Sequence, residues 1–137
     1  MMQTRDVTDP SLSPTIILAA AARRSAKSRY GLGLSGLDRW SARDRVSRDN
    51  LEAALAALRI VANRERDHDR ARLRNGRGFA RCDMPLGHAL ASASPAEVLG
   101  RPSFARLAMD LARKYHRHVP NALAMRMGLT DQYDLFD

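Results

Sequence analysis

With 137 residues, 45% hydrophobic and 28% charged, the chain has the length of one compact domain and too much apolar content for a wholly disordered protein. Lys and Arg number 23 against 15 Asp and Glu, a formal charge of +8, and a surface of that sign attracts polyanions such as nucleic acid or anionic membrane. A single cysteine excludes an intramolecular disulfide framework and any multi-cysteine zinc site.

Residues 1–12 are polar and read as a loose tail. Ser13-Pro14 reads as a helix start, a hydroxyl N-cap followed by proline at the first helical position. The alanine-rich run 15–29 follows, with Ile16, Ile17, Ala20 and Arg24 spaced for one helix. The stretch 7–22 is broken by Asp9, Pro10 and Pro14, so no bilayer span is expected, and Arg5 against Asp6 and Asp9 gives no positive leader. A cytoplasmic protein is expected. Gly31, Gly33 and Gly36 predict a connector over 30–36. Its GxG follows a helix and precedes no strand, which speaks against a dinucleotide loop.

Asp49 and Glu52 have the spacing of a capping pair for a helix reaching about residue 73. Leu51, Leu55, Leu58 and Ala62 form its buried face, and its charged second half, 63–72, is expected either to extend into solvent or to fray. Residues 75–78 are a turn by composition. Asp83 is placed to cap a short helix over 85–91 that buries Leu86 and Leu90. Ser94 and Glu97 repeat the capping-box pattern, closed by Gly100. The clearest helix is 102–116: Phe104, Leu107, Ala108, Leu111 and Tyr115 share one face, and Arg106, Asp110, Arg113 and Lys114 take the others. Val119-Pro120 ends it, and Asn121 caps a last short helix through Met127, stopped by Gly128. No segment shows the alternation of a strand. The expectation is an all-α bundle of about five to six helices with flexible termini. One helical domain occupies 13–128, and 129–137 is an acidic tail.

Chemistry-bearing residues are scattered. His116 and His118 stand two apart, about 200° around a helix, and cannot share a metal there. Asp67-His68-Asp69 lies in a run of alternating charge, the mark of a solvated face. Cys82 beside Arg81 reads as a packed thiol. No nucleophile–base pair and no set of carboxylates converging on one cation stands out. The expectation is therefore a protein that is not an enzyme, with no catalytic residue, metal or cofactor.

Basic clusters carry more. Eight arginines face three acids between Arg59 and Arg81, and eight bases face two acids between Arg23 and Arg48. Only Lys27 and Lys114 are lysines. A GC-rich genome also favours arginine over lysine, but that bias does not produce a surplus of eight charges. Guanidinium groups clamp phosphate oxygens in pairs, and phosphate contacts supply sequence-independent affinity for nucleic acid. Arg23, Arg24, Arg29, Arg43, Arg70, Arg72, Arg74, Arg77, Arg81, Lys114 and Arg117 are the candidate contacts to a DNA or RNA backbone or a nucleoprotein complex. Trp40 is the aromatic residue free to stack on a base. The tail 129–137 has three acids and no base, and its Tyr133, Leu135 and Phe136 are candidate anchors for a protein partner.

Asn75, Gly78-Phe79, Asp83, Gly87 and Leu90-Ala91, followed by Lys114-Tyr115 and Val119, form a spaced set. It resembles a small accessory module of phage- and plasmid-type DNA-processing proteins, including some Snf-type helicases. The match covers residues 75–120, with His118 where the module carries glutamine. The resemblance implies a DNA- or nucleoprotein-associated role and brings no catalytic residue with it. The same positions have a folding account: Gly78 permits a positive φ before Phe79 plugs the core, Asp83 caps, and Gly87 lets two helices approach. A non-enzymatic, arginine-rich nucleic-acid-binding protein of phage or mobile-element type is expected. The alternative is a protein-binding inhibitor or small subunit of a CRISPR-type effector complex, anti-CRISPR-like in kind.

Overall fold

Leucine at every third or fourth position, with alanine between, makes helices that bury one stripe and approach one another closely. The structure, a computed structural model, describes the backbone of residues 14–71 and 78–127 and the side chains of 16–64 and 78–127. Among the described residues are seven α-helices and no strand, which makes the fold all-α. They are α1 (Pro14–Tyr30), α2 (Leu34–Ser41), α3 (Arg48–Ala71), α4 (Met84–Ala91), α5 (Pro95–Leu99), α6 (Pro102–Lys114) and α7 (Asn121–Arg126). Single 3₁₀ turns, Arg81–Asp83 and His116–His118, precede α4 and α7.

The 24 residues of α3 span about 36 Å, and α4, α5, α6 and α7 all pack on this helix. Against α4 and α6 lies α1, and α2 lies on α6. Leu51, Leu55 and Leu58 of α3 are fully buried with Leu90, Leu107 and Leu111; each such side chain contributes about 1.5–3 kcal/mol relative to exposure. Ala22, Ala26, Ala54 and Ala108 are equally buried and keep the helix axes close.

Several local expectations are corrected. Residues 34–41 form α2, where the glycines predicted a connector. Leu34, Leu37 and Ser41 make a buried stripe at helical spacing, and its packing on α6 outweighs a penalty of about 1 kcal/mol for Gly36. The break is confined to 31–33, where Gly31 takes φ 67° and its N–H closes on Lys27 at 2.9 Å, a left-handed helix stop that favours glycine. The φ of Gly78 depends on Arg77, so the positive φ expected there lies outside the described residues. Ser47, not Asp49, caps α3, its Oγ accepting the Asn50 N–H at 3.1 Å. Pro120, not Asn121, stands at the N-cap of α7. On α1 the buried line is Leu18, Ala22 and Ala26, leaving Ile16 and Ile17 nearly half exposed.

The Ser94–Glu97 capping box is formed in both directions. Helix α6 buries Phe104, Leu107, Ala108 and Leu111 as predicted, and ends at Lys114 with Tyr115 as its C-cap. Ser13, the turn residues 75–77, Gly128 and both tails lie outside the described residues.

Candidate functional site

Asp83 occupies the N-cap position of α4, but its side chain accepts no N–H from that helix. The carboxylate is 4% exposed and receives donors from two other helices. Arg29 Nη2 of α1 reaches Oδ1 at 2.7 Å, and Lys114 Nζ and the Tyr115 hydroxyl each donate to Oδ2 at 2.7 Å. A carboxylate this deep requires charged donors to remain ionised. Burial pushes the Asp83 pKa up, but hydrogen bonds from Lys114 and Tyr115, with the charges of Lys114 and Arg29, hold it below the ordinary carboxylate value. Burial, then the hydrogen bond to Asp83 and its charge, push the Tyr115 phenol well above its ordinary value, against a downward pull from the Ala80 N–H.

The Tyr115 hydroxyl in turn accepts the Ala80 N–H at 2.7 Å. The Phe79 ring meets the Tyr115 ring edge-on at 5.2 Å. A Cβ on Gly87 would stand 2.6 Å from the Phe79 ring, so Gly87 makes room for that ring. Phe79, Asp83, Gly87, Lys114 and Tyr115, spaced along the 75–120 pattern, thus form one contact cluster. Its effect is to fix two cations of different helices on one wall.

That wall bounds a groove of about 450 Å³ lined by α1, the Arg81–Asp83 turn, the start of α4 and the end of α6. Among the described residues four cations line it, Arg24, Arg29, Arg81 and Lys114, against the carboxylate of Asp83. Ser25 and Ser28 add hydroxyls, and the exposed thiol of Cys82 sits among them; the packed cysteine of the sequence reading is corrected, because the 3₁₀ turn faces solvent. Arg24 and Arg81 are exposed and have no ion-pair partner among the described residues. Lys114 remains 46% exposed at its side chain while bonded to Asp83.

Of the other predicted contacts, Arg23 is exposed on α1 outside the groove lining, with Lys27 one turn on. Arg117 is exposed in the turn after α6, and Arg43 is exposed in the loop after α2. The side chain of Arg70, and Arg72, Arg74, Arg77, Tyr133, Leu135 and Phe136 lie outside the described residues.

Other arginines hold the fold. Arg59 donates to the carbonyls of Ala91 and Ala93 at 3.0 and 3.2 Å, closing the C-terminal end of α4. Arg64 donates to the His118 carbonyl. Arg101 clamps Asp38 with two nitrogens, and Asp38 Oδ1 accepts the Ser103 N–H at 3.0 Å, so a residue of α2 caps α6. Burial pushes Asp38 up, but the bonds from Arg101 and Ser103 win and lower its pKa. Trp40 is 48% exposed, and the sequence did not show that part of its ring is already engaged: the Arg106 guanidinium lies over it at 4.3 Å and Tyr30 packs at 5.5 Å. None of these partners is signalled by local sequence, since each lies on a distant element.

His118 packs its ring near Tyr115 at 5.6 Å. Among the described residues no group of three or more His, Cys, Asp and Glu is arranged to hold a metal ion, and no helix is long and apolar enough to cross a membrane. Compared with known proteins, the chain matches no family model, no curated protein and no solved structure.

Proposed function

We propose that the protein binds the phosphodiester backbone of nucleic acid in the groove between α1 and α4. The observation that carries this reading is the convergence of Arg24, Arg29, Arg81 and Lys114 on one groove against one buried carboxylate. Asp83 orients two of the cations and leaves the other two to be satisfied by a ligand. Arginine pairs match phosphate geometry, and Arg23 and Lys27 continue the same sign along the exposed face of α1. Contacts of this kind position a backbone without reading bases. An association with phage- or plasmid-type DNA processing is part of the proposal and rests on the residue pattern over 75–120.

Binding to mixed-sequence DNA or RNA, followed by fluorescence anisotropy, weakens steeply as salt rises, because each phosphate contact releases counterions. Replacing Arg24 and Arg81 together by alanine lowers the slope of log affinity against log salt by about 1.4–1.8, the value for two lost contacts. An unchanged slope in the folded double variant removes the groove from the interface.

A further inference from the structure

Trp40 is the single tryptophan of the chain, and nearly half of it faces solvent. An indole with an apolar body and a polar N–H is a residue type enriched at interfaces. Its orientation is fixed: Arg106 covers the ring at 4.3 Å and is itself tied to Asp44 at 2.9 Å and, more loosely, to Asp110 at 3.7 Å. Tyr30 braces it from α1. Arg39 and Arg43, both exposed, stand one residue before and three residues after it, and neither has an ion-pair partner among the described residues. Tyr30 directly follows Arg29, the cation that joins α1 to Asp83 in the groove. Tyr30 therefore places the braced indole at the C-terminal end of α1, the helix that carries Arg29.

We propose that the ligand is single-stranded nucleic acid, with a base stacked on the exposed part of Trp40 and the adjoining phosphates held by Arg39, Arg43 and the groove. This rests on the nucleic-acid reading above and narrows it to an unpaired strand. A duplex keeps its base faces stacked on one another, so only a strand with unstacked bases offers a face to the indole. Guanidinium groups on either side supply the charge that a base alone does not need and a phosphate does. A protein partner that seated an apolar side chain on Trp40 would gain nothing from Arg39 and Arg43 unless it too were acidic.

The test uses the full chain and three probes: a short oligothymidylate, an abasic oligomer of the same length, and a hairpin duplex. Phosphate contacts are common to all three, and an accessible base face belongs to the first alone. The oligothymidylate quenches the emission of the single tryptophan and binds roughly 5- to 100-fold more tightly than the abasic oligomer, the range of one stacked base. Trp40→Leu abolishes that difference and leaves abasic affinity unchanged, and Trp40→Phe keeps part of it. The comparison of probes on the unaltered protein holds whether or not a variant folds. Equal, salt-sensitive affinity for oligothymidylate and abasic oligomer overturns the stacking site and leaves the phosphate reading standing. Tighter binding of the hairpin also overturns it. Absence of binding to every probe at low salt overturns both readings together.

Discussion

Replacing Asp83 by asparagine separates the two roles assigned to this carboxylate, because stability and affinity are expected to move in opposite directions. Lys114 is 46% exposed at its side chain, so it returns to water readily and its ion pair is worth at most about 1 kcal/mol. Arg29, at 26%, and the buried Tyr115 hydroxyl lose more, roughly 1–2 kcal/mol each for a bond to a charged acceptor. The expected loss is about 2–5 kcal/mol, a large part of the 5–15 kcal/mol typical of a domain. Urea unfolding at neutral pH reads it as a lower midpoint with unchanged slope. Since the native pKa lies below the ordinary one, the stability from Asp83 is present above about pH 4 and is lost as pH falls through the native value. The gap between wild type and variant therefore closes in acid. With the Asp83 carboxylate of the groove neutralised, affinity for DNA at low salt rises about two- to threefold. A variant as stable as wild type at neutral pH refutes the account of Asp83 as the hub of the cluster.

Gly87→Ala forces a Cβ to within 2.6 Å of the buried Phe79 ring and costs about 1–3 kcal/mol despite the better helix propensity of alanine. Adding Phe79→Leu recovers part of that cost, and a strictly additive double variant in thermal unfolding rules out the proposed contact. Asp38→Ala removes the cap on Ser103 and the Arg101 clamp, at about 1–3 kcal/mol; an unshifted urea midpoint refutes capping of α6 from α2.

The long amphipathic helices were legible because burial selects one periodic stripe: Leu51, Leu55 and Leu58 on α3 and Leu107 and Leu111 on α6 are each found at zero or near-zero exposure. The Ser94–Glu97 box was legible because both partners lie within one turn. Helix α2 was hidden by Gly36, whose local preference is overridden by packing on α6. Asp83 illustrates the limit at the site. An aspartate just before a helix reads as its cap, and the donors that claim it lie 54 and 31 residues away. Counting arginines gives the net charge of the chain but not its distribution. Arg59, Arg64, Arg101 and Arg106 look the same in sequence as Arg24 and Arg81, yet the first four are bound to carbonyls or carboxylates. Partners of that kind are a property of the tertiary arrangement.

The bonds through Asp83 and Asp38 have a bearing on the order in which the chain folds. Arg29 waits for a residue 54 positions later, and Asp38 for Arg101 and Ser103, 63 and 65 positions later. Helices α1 and α2 can coil early, since helical hydrogen bonds are local, but their charged groups gain partners only once the C-terminal half has docked. Closing loops of that length is the slow, entropically costly part of folding. These ion pairs belong to the final docking step, so weakening them accelerates unfolding more than it retards folding. A chain emerging N-terminus first presents α1 to solvent with Arg29 unpaired and next to Arg23, Arg24 and Lys27. Its most basic helix is in that interval bare of the acid that pairs with Arg29.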